Sequence, residues 1–200
     1  MSQNSYPESI NINALKILKN GNPRQQLAYQ CISSHQLFEH LSEFRTILAS
    51  TITLAIDTPS SDLDFVCEVS DLNYFSKQII VIFEKYDRFK ETQRPAESLS
   101  RCFSFWCDEF EIEVFGSIQP LEQQFGFIHY LVTAKLIELG GEVFRSKLQD
   151  MKLAGKKTEP AIAEMLSLNG DPYQEVARLI DIGGEEELLC IINLAIYKSS

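Results

Sequence analysis

Apolar residues along the first part of the chain recur at helical spacing and then switch to alternation. Ile12 to Leu18 begins a helix that Gly21 interrupts, and Pro23 suits the first turn of a second helix over Pro23 to Ser33, with Leu27, Ala28, Cys31 and Ile32 at helical spacing. His35 to Phe44 reads as another short helix through Leu37, Phe38, Leu41 and Phe44. Thr46 to Ile56 is rich in β-branched and apolar residues, which predicts a strand running into an irregular extended stretch, and Pro59, Ser60 and Ser61 then make a turn. Asp62 to Val69 alternates around Leu63, Phe65 and Cys67 as a strand does, and a helix follows over about Asp71 to Tyr86, capped by Ser70 or Asp71.

Arg101 to Trp106 and Glu109 to Phe115 are strand-like runs joined by Cys107 and Asp108, which predicts a β-hairpin with Glu111 and Glu113 on one face. From Leu121 the spacing is helical: Gln123 to Leu139, stopped by Gly140 and Gly141, Glu142 to Leu153, stopped by Gly155, then Pro160 to Leu168, Pro172 to Asp181 and Glu185 to Tyr197. The sequence has no internal repeat or low-complexity tract. The expected class is α+β, with a mixed β-sheet flanked by helices over residues 1–120 and a mainly helical C-terminal region over 121–200 packed on that core.

With 200 residues, 44% of them hydrophobic, the chain can bury one core and a small helical lobe. No apolar run approaches the roughly 20 residues that span a bilayer, and the polar N-terminus lacks a basic segment followed by an apolar one, so a cytoplasmic location is expected. Cys31, Cys67, Cys102, Cys107 and Cys190 are odd in number and form no C-x-x-C pair, so buried free thiols are expected. A net charge of −10 and a pI near 4.8 oppose long-range attraction to a polyanion and disfavour a nucleic-acid substrate. His35, His40 and His129 are scattered, and without a G-x-S-x-G or Cys-His motif a nucleophilic hydrolase triad is disfavoured. Trp106, Tyr29, Tyr130 and Tyr173 could stack on a base, but aromatic residues within apolar runs are more often core than ligand platforms, and no binding role is assigned to them.

The stretch S-T-I-T-L-A-I-D-T-P-S-S-D-L-D-F, Ser50 to Phe65, carries the candidate chemistry. A polar turn delivers Asp62 and Asp64 with one apolar residue between them, so both carboxylates fall on one strand face about 7 Å apart. Such a pair suits a hard divalent cation, Mg²⁺ or Mn²⁺, particularly when a neighbouring strand adds a third carboxylate. Glu113 is the first candidate for that third ligand and Glu111 the second. D-x-D alone is a weak signal, since a solvent-facing strand end often carries two acids. Arg24 and Lys157 are candidate phosphate or acceptor contacts, because an acidic protein that holds a triphosphate needs local positive charge.

Together these parts resemble the nucleotidyltransferase superfamily that includes DNA polymerase beta, in which a Gly-Ser pair after the first strand cradles the nucleotide phosphates and D-x-D on the second strand binds metals. Ser50 and Thr51 stand where that pair is expected. The chain also resembles an uncharacterised bacterial family of unknown function grouped with nucleotidyltransferase-like proteins. Its signatures here are G-N-P-R-Q-Q-L-A-Y (Gly21 to Tyr29), I-D-T-P-S-S-D-L-D (Ile56 to Asp64), F-E-I-E-V-F-G (Phe110 to Gly116), K-T-E-P-A (Lys157 to Ala161) and G-D-P-Y (Gly170 to Tyr173).

The resemblance implies a mixed nucleotidyltransferase-like sheet and two Mg²⁺ ions on Asp62, Asp64 and Glu113. It further implies transfer of a nucleoside monophosphate from a nucleoside triphosphate to a small-molecule or protein hydroxyl, with Ser50 and Thr51 donating to the phosphates and Ser61 supporting the metal-binding turn. Glycine is expected at Ser50 and Ala55, where a side chain would obstruct close approach of backbone to phosphate. That departure keeps open a catalytically inactive binding or regulatory module. A third reading is a homo-oligomer packed through the apolar helix Leu188 to Tyr197. The sequence does not identify the base, the acceptor or the oligomeric state.

Overall fold

The alternating segments become five strands, β1 (Arg45–Leu48), β2 (Leu63–Glu68), β3 (Asp87–Glu91), β4 (Ser100–Cys107) and β5 (Phe110–Ser117), in one mixed sheet of order β1-β2-β5-β4-β3. The computed structural model describes residues 5–92, 95, 98–182 and 184–197. The fold is α+β, as expected, and the chain divides into two units, Met1–Thr53 with Ser61–Phe127, and Leu54–Ser60 with Ile128–Ser200.

In the first unit, β2 and β5 are parallel while the other neighbours are antiparallel. Helices α1 (Ser5–Asn20), α2 (Pro23–Ser34), α3 (Leu37–His40) and α4 (Leu72–Phe83) supply the apolar groups for one sheet face. Leu63, Phe65 and Cys67 of β2, Phe103 and Phe105 of β4, and Ile112 and Val114 of β5 bury into one cluster with Leu18, Cys31, Ile32, Phe75 and Phe83. Alternation therefore turns Asp64, Ser104, Glu111 and Glu113 to the opposite face. Gly116 lies on the helix-covered face, where a Cβ would sit 2.4 Å from the Phe75 ring, so the absence of a side chain lets α4 lie against β5.

Asn22 starts α2 by a capping box with Gln25, and Gln25 turns its buried amide to the Ile52 carbonyl at 2.8 Å. Asp71 caps α4 by accepting from the Asn73 and Tyr74 amides, which hold its carboxyl below the usual carboxylate range.

Several boundaries differ from the pattern. The helix expected over His35 to Phe44 shortens to Leu37–His40, because Gln36 enters the left-handed region (φ 51) and turns at Leu41 to Phe44 lead the chain into β1. The strand expected from Thr46 ends at Leu48, and residues 51–55 form turns. Strand β3 was not anticipated: it is a polar edge strand in which Phe89 alone is partly buried, stacked on Phe103. The hairpin turn falls at Asp108 and Glu109, with Asp108 at φ 51. Cys31, Cys67, Cys102 and Cys107 are buried, as expected, and burial pushes the Cys67 thiol up to about 12, but Cys190 is exposed on the outer side of its helix.

In the second unit, α5 (Phe125–Leu153) breaks at Gly141 (φ 61, ψ −158), where the two glycines predicted a stop, and is followed by α6 (Thr158–Leu166), α7 (Pro172–Arg178) and α8 (Glu185–Tyr197). Leu136, Phe144, Leu148, Ile162, Val176, Leu188 and Ile192 form its core, so α8 contributes apolar residues to its own unit. Among the described residues, no helix is long and apolar enough to cross a membrane.

One partly buried ion pair joins three of these helices. His129 of α5 places Nδ1 3.2 Å from the Glu159 carboxylate of α6 and Nε2 2.9 Å from the Tyr173 carbonyl of α7. Carbonyl and carboxylate oxygens accept, so the arrangement favours a proton on each ring nitrogen and the charged form of the imidazole. Burial opposes both charges, but the bonds to Glu159 and Tyr173 outweigh it: His129 is raised above its ordinary 6.5 and Glu159 held below its ordinary 4.5.

The stability from Glu159 is fully present above 4.5 and fades as pH falls through its lowered value, whereas that from His129 is fully present below 6.5 and fades as pH rises through its raised value. His129→Gln should therefore cost about 2 kcal/mol between those limits and progressively less at alkaline pH. Urea denaturation of both proteins at about pH 5.5 and about pH 9 checks this; an equal loss at both values contradicts a charged imidazole.

Candidate functional site

The loop between β1 and β2 is held by its own hydroxyls. Ser50 Oγ donates to the Asp62 carbonyl at 2.6 Å and accepts from the Ile52 amide at 3.2 Å, while Thr53 Oγ1 donates to the Ser50 carbonyl at 2.7 Å. Thr51 Oγ1 donates to Ser61 Oγ at 3.2 Å, and the Ala49 amide donates to the Asp64 carbonyl at 2.8 Å. From α2, Arg24 donates to the Ser61 carbonyl at 3.2 Å while its guanidinium lies 5.1 Å over the Phe110 ring. The backbone that carries Asp62 and Asp64 is thus fixed from both sides.

Asp62 immediately precedes β2, and Asp64 is its second residue. In the parallel pairing of β2 with β5, Asp64 stands directly beside Glu113 and Leu63 beside Ile112. Adjacent strands lie about 4.8 Å apart, so the Asp64 and Glu113 side chains leave the same face as close neighbours. Glu111 is set apart from this pair by the Lys90 ammonium, 3.7 Å from its carboxylate. Asp62, Asp64 and Glu113 are all partly exposed. Among the described residues, no three His, Cys, Asp or Glu side chains are gathered to hold a metal ion, so the backbone assembles a carboxylate pair rather than a triad.

The remaining residues singled out from sequence are placed as follows. Ser50 is 0% exposed, and its hydroxyl is committed to positioning Asp62 rather than open to a phosphate. Thr51 and Ser61 are partly exposed and bonded to each other. Lys157 is exposed at the N-cap of α6, in the second unit, and makes no side-chain cap there. The acid of its K-T-E-P-A segment is the partly exposed Glu159, which holds His129, and the G-D-P-Y segment supplies the Asp171 cap of α7 and the Tyr173 carbonyl.

Sequence reading missed Ser104. It is the β4 partner of Glu113, 4% exposed, and its hydroxyl has no hydrogen-bond partner among the described residues. Burying a hydroxyl without a partner costs about 1–3 kcal/mol, so its place next to the acid pair is not explained by folding alone. The signal was in the hairpin, since a turn at Asp108 and Glu109 brings residue 104 opposite residue 113.

The two positions where glycine was expected behave differently. Ala55 adopts φ 53, the left-handed region, with its carbonyl accepting from Arg145 at 2.6 Å, whereas Ser50 is not among the positive-φ residues. Ala55→Gly should stabilise the protein by about 1 kcal/mol by relieving the Cβ. Ser50→Gly should destabilise it by about 1–2 kcal/mol through loss of two buried hydrogen bonds. Chemical denaturation of the two variants checks the opposite signs; a gain in both would show that Ser50 contributes nothing to the loop.

A family model described as a domain of unknown function, DUF4269, matches residues 30–179. The segments Ile56 to Asp64, Phe110 to Gly116, Lys157 to Ala161 and Gly170 to Tyr173 lie inside the match, and Gly21 to Tyr29 precedes it. No curated protein matches the chain, and neither does any solved structure. The match takes in β2, β5 and the helices that hold His129, more than half of the sequence, and the chain therefore belongs to the DUF4269 family.

Proposed function

We propose that this protein is a metal-dependent nucleotidyltransferase that moves a nucleoside monophosphate from a nucleoside triphosphate to a small-molecule or protein hydroxyl. The observation that carries the reading is the register that sets Asp64 beside Glu113, with Asp62 immediately before the strand. Two neighbouring carboxylates repel unless positive charge is shared between them. Mg²⁺ suits the pair because it is commonly held by one or two carboxylates plus substrate phosphates rather than by an all-protein cage. A two-acid site of that kind needs no preformed triad, and Asp62 with the phosphate oxygens would complete it. Mn²⁺ can substitute, with the same oxygen chemistry.

When bound, the cation would neutralise phosphate charge and lower the pKa of an acceptor hydroxyl. The acceptor oxygen would bond to the α-phosphorus as the bond to the bridging oxygen breaks, and pyrophosphate would leave. The chain's own residues would provide position: Asp64 and Glu113 on rigid strands, Arg24 and Ser50 on the backbone around Asp62. Thr51 and Ser61 are the proposed phosphate contacts. The net charge of −10 favours a small or protein acceptor over a nucleic acid.

One observation favours a second reading, a nucleotide-binding module without transfer: the Ser50 side chain occupies the place of a phosphate-cradling glycine and is turned inward. Label from an α-labelled nucleoside triphosphate appearing on any acceptor excludes it.

Thermal melting with Mg²⁺ and each common nucleoside triphosphate tests both readings. At least one combination should raise the melting temperature, by an amount equivalent to about 2.7 kcal/mol at one hundred times Kd, and chelation of the metal should reverse it. Asp64→Asn and Glu113→Gln, which keep the size and shape of each side chain, should each abolish the shift while the unliganded variants still melt cooperatively. Absence of a metal-dependent shift with every nucleotide overturns the proposal.

A further inference from the structure

We infer that Cys31 and Cys107 are a redox-sensitive pair, which hydrogen peroxide joins into one reversible intrachain disulfide that locks α2 to the end of β4. The inference does not depend on the reading of Asp64 and Glu113.

The two thiols come from elements far apart in sequence. Cys31 is a buried residue of α2, and Cys107 is the last residue of β4, immediately before the exposed turn at Asp108 and Glu109. Both belong to the apolar cluster on the helix-covered face of the sheet. Cys31 Sγ donates to the Cys107 carbonyl at 3.5 Å, and the two thiols are hydrogen-bonded to each other as well. Cys67, by contrast, meets the Thr46 hydroxyl. A free cysteine packs as a small apolar group, which accounts for one buried thiol but gives no reason for two in contact.

The bond with Cys107, and after it burial, holds the Cys31 thiol above the usual thiol range, so Cys31 keeps its proton and is not the first to react. Cys107 adjoins the exposed turn, where a small oxidant enters. Its sulfur attacks one oxygen of hydrogen peroxide, the O–O bond breaks, and a sulfenic acid forms as water leaves. The Cys31 sulfur then bonds to the Cys107 sulfur, the S–O bond breaks, and hydroxide departs with the Cys31 proton as a second water. The thiols lose two electrons in all, and peroxide gains them. The new bond spans 76 positions of sequence and so restricts the unfolded chain strongly. It also fixes the helix whose Arg24 and Gln25 hold the Ser61 and Ile52 carbonyls of the β1–β2 loop.

The test treats the full chain with hydrogen peroxide, unfolds it in iodoacetamide and maps the peptides by mass spectrometry, with the exposed Cys190 as an internal gauge of the dose. Cys31 and Cys107 should leave the alkylated pool together and appear in one cross-linked peptide pair, while Cys67 and Cys102 stay alkylated, and dithiothreitol should restore both thiols. The oxidised protein should melt several degrees above the reduced one, and Cys31→Ala should lose both the cross-link and the rise. Alkylation of both thiols after a treatment many times longer than the one that consumes Cys190 overturns the inference. Cys107 carried on to sulfinic acid with Cys31 still alkylated overturns it too, as does a cross-link from either residue to Cys67 or Cys102.

Discussion

Because β2 and β5 run parallel, each residue of one strand is held at a fixed height beside a residue of the other, and side chains alternate between faces. A slip of β2 by one position would drive Asp64 into the cluster that holds Val114 and Phe103 and turn Phe65 to the far face. The apolar face therefore enforces what the polar face displays: burial of Leu63, Phe65, Ile112 and Val114 sets the register that puts Asp64 beside Glu113. The Ala49 to Asp64 bond and the Ser50 to Asp62 bond then fix the chain leading into that register. Packing and candidate chemistry are two consequences of one strand pairing.

Strong periodicity made much of the fold legible. The spacing of Leu27, Ala28, Cys31 and Ile32 marked α2, Pro23 marked its start, and Gly140 and Gly141 marked the break in α5. The β4–β5 hairpin followed from local alternation. What stayed hidden was set by context. Strand β3 is a polar edge whose pairing, not its composition, makes it a strand, and the parallel alignment of β2 with β5 joins segments far apart in sequence. Cys190 lies in an apolar helix but on the side that its unit does not bury.

The candidate site was legible to the same degree. Alternation nominated Asp62 and Asp64 and ranked Glu113 ahead of Glu111, but the parallel register that sets Asp64 beside Glu113 was not in the local pattern, and Ser104 needed the hairpin as well. His129 looked like one of three scattered histidines, because its partners Glu159 and Tyr173 reach it only through the packing of α5, α6 and α7. The K-T-E-P-A and G-D-P-Y segments thus meet at a His129–Glu159 tether among helices, whereas I-D-T-P-S-S-D-L-D and F-E-I-E-V-F-G meet at the acid pair. Ala55 takes the left-handed conformation for which glycine was expected, while the side chain of Ser50 is used to bind the backbone of Asp62.

The most direct measurement is anomalous diffraction from crystals grown with Mn²⁺ and tripolyphosphate. The account predicts an anomalous peak within about 2.2 Å of a carboxylate oxygen from each of Asp64 and Glu113, on the sheet face opposite the phenylalanine cluster. A peak bound elsewhere, or Asp64 and Glu113 turned apart with no metal between them, would contradict it.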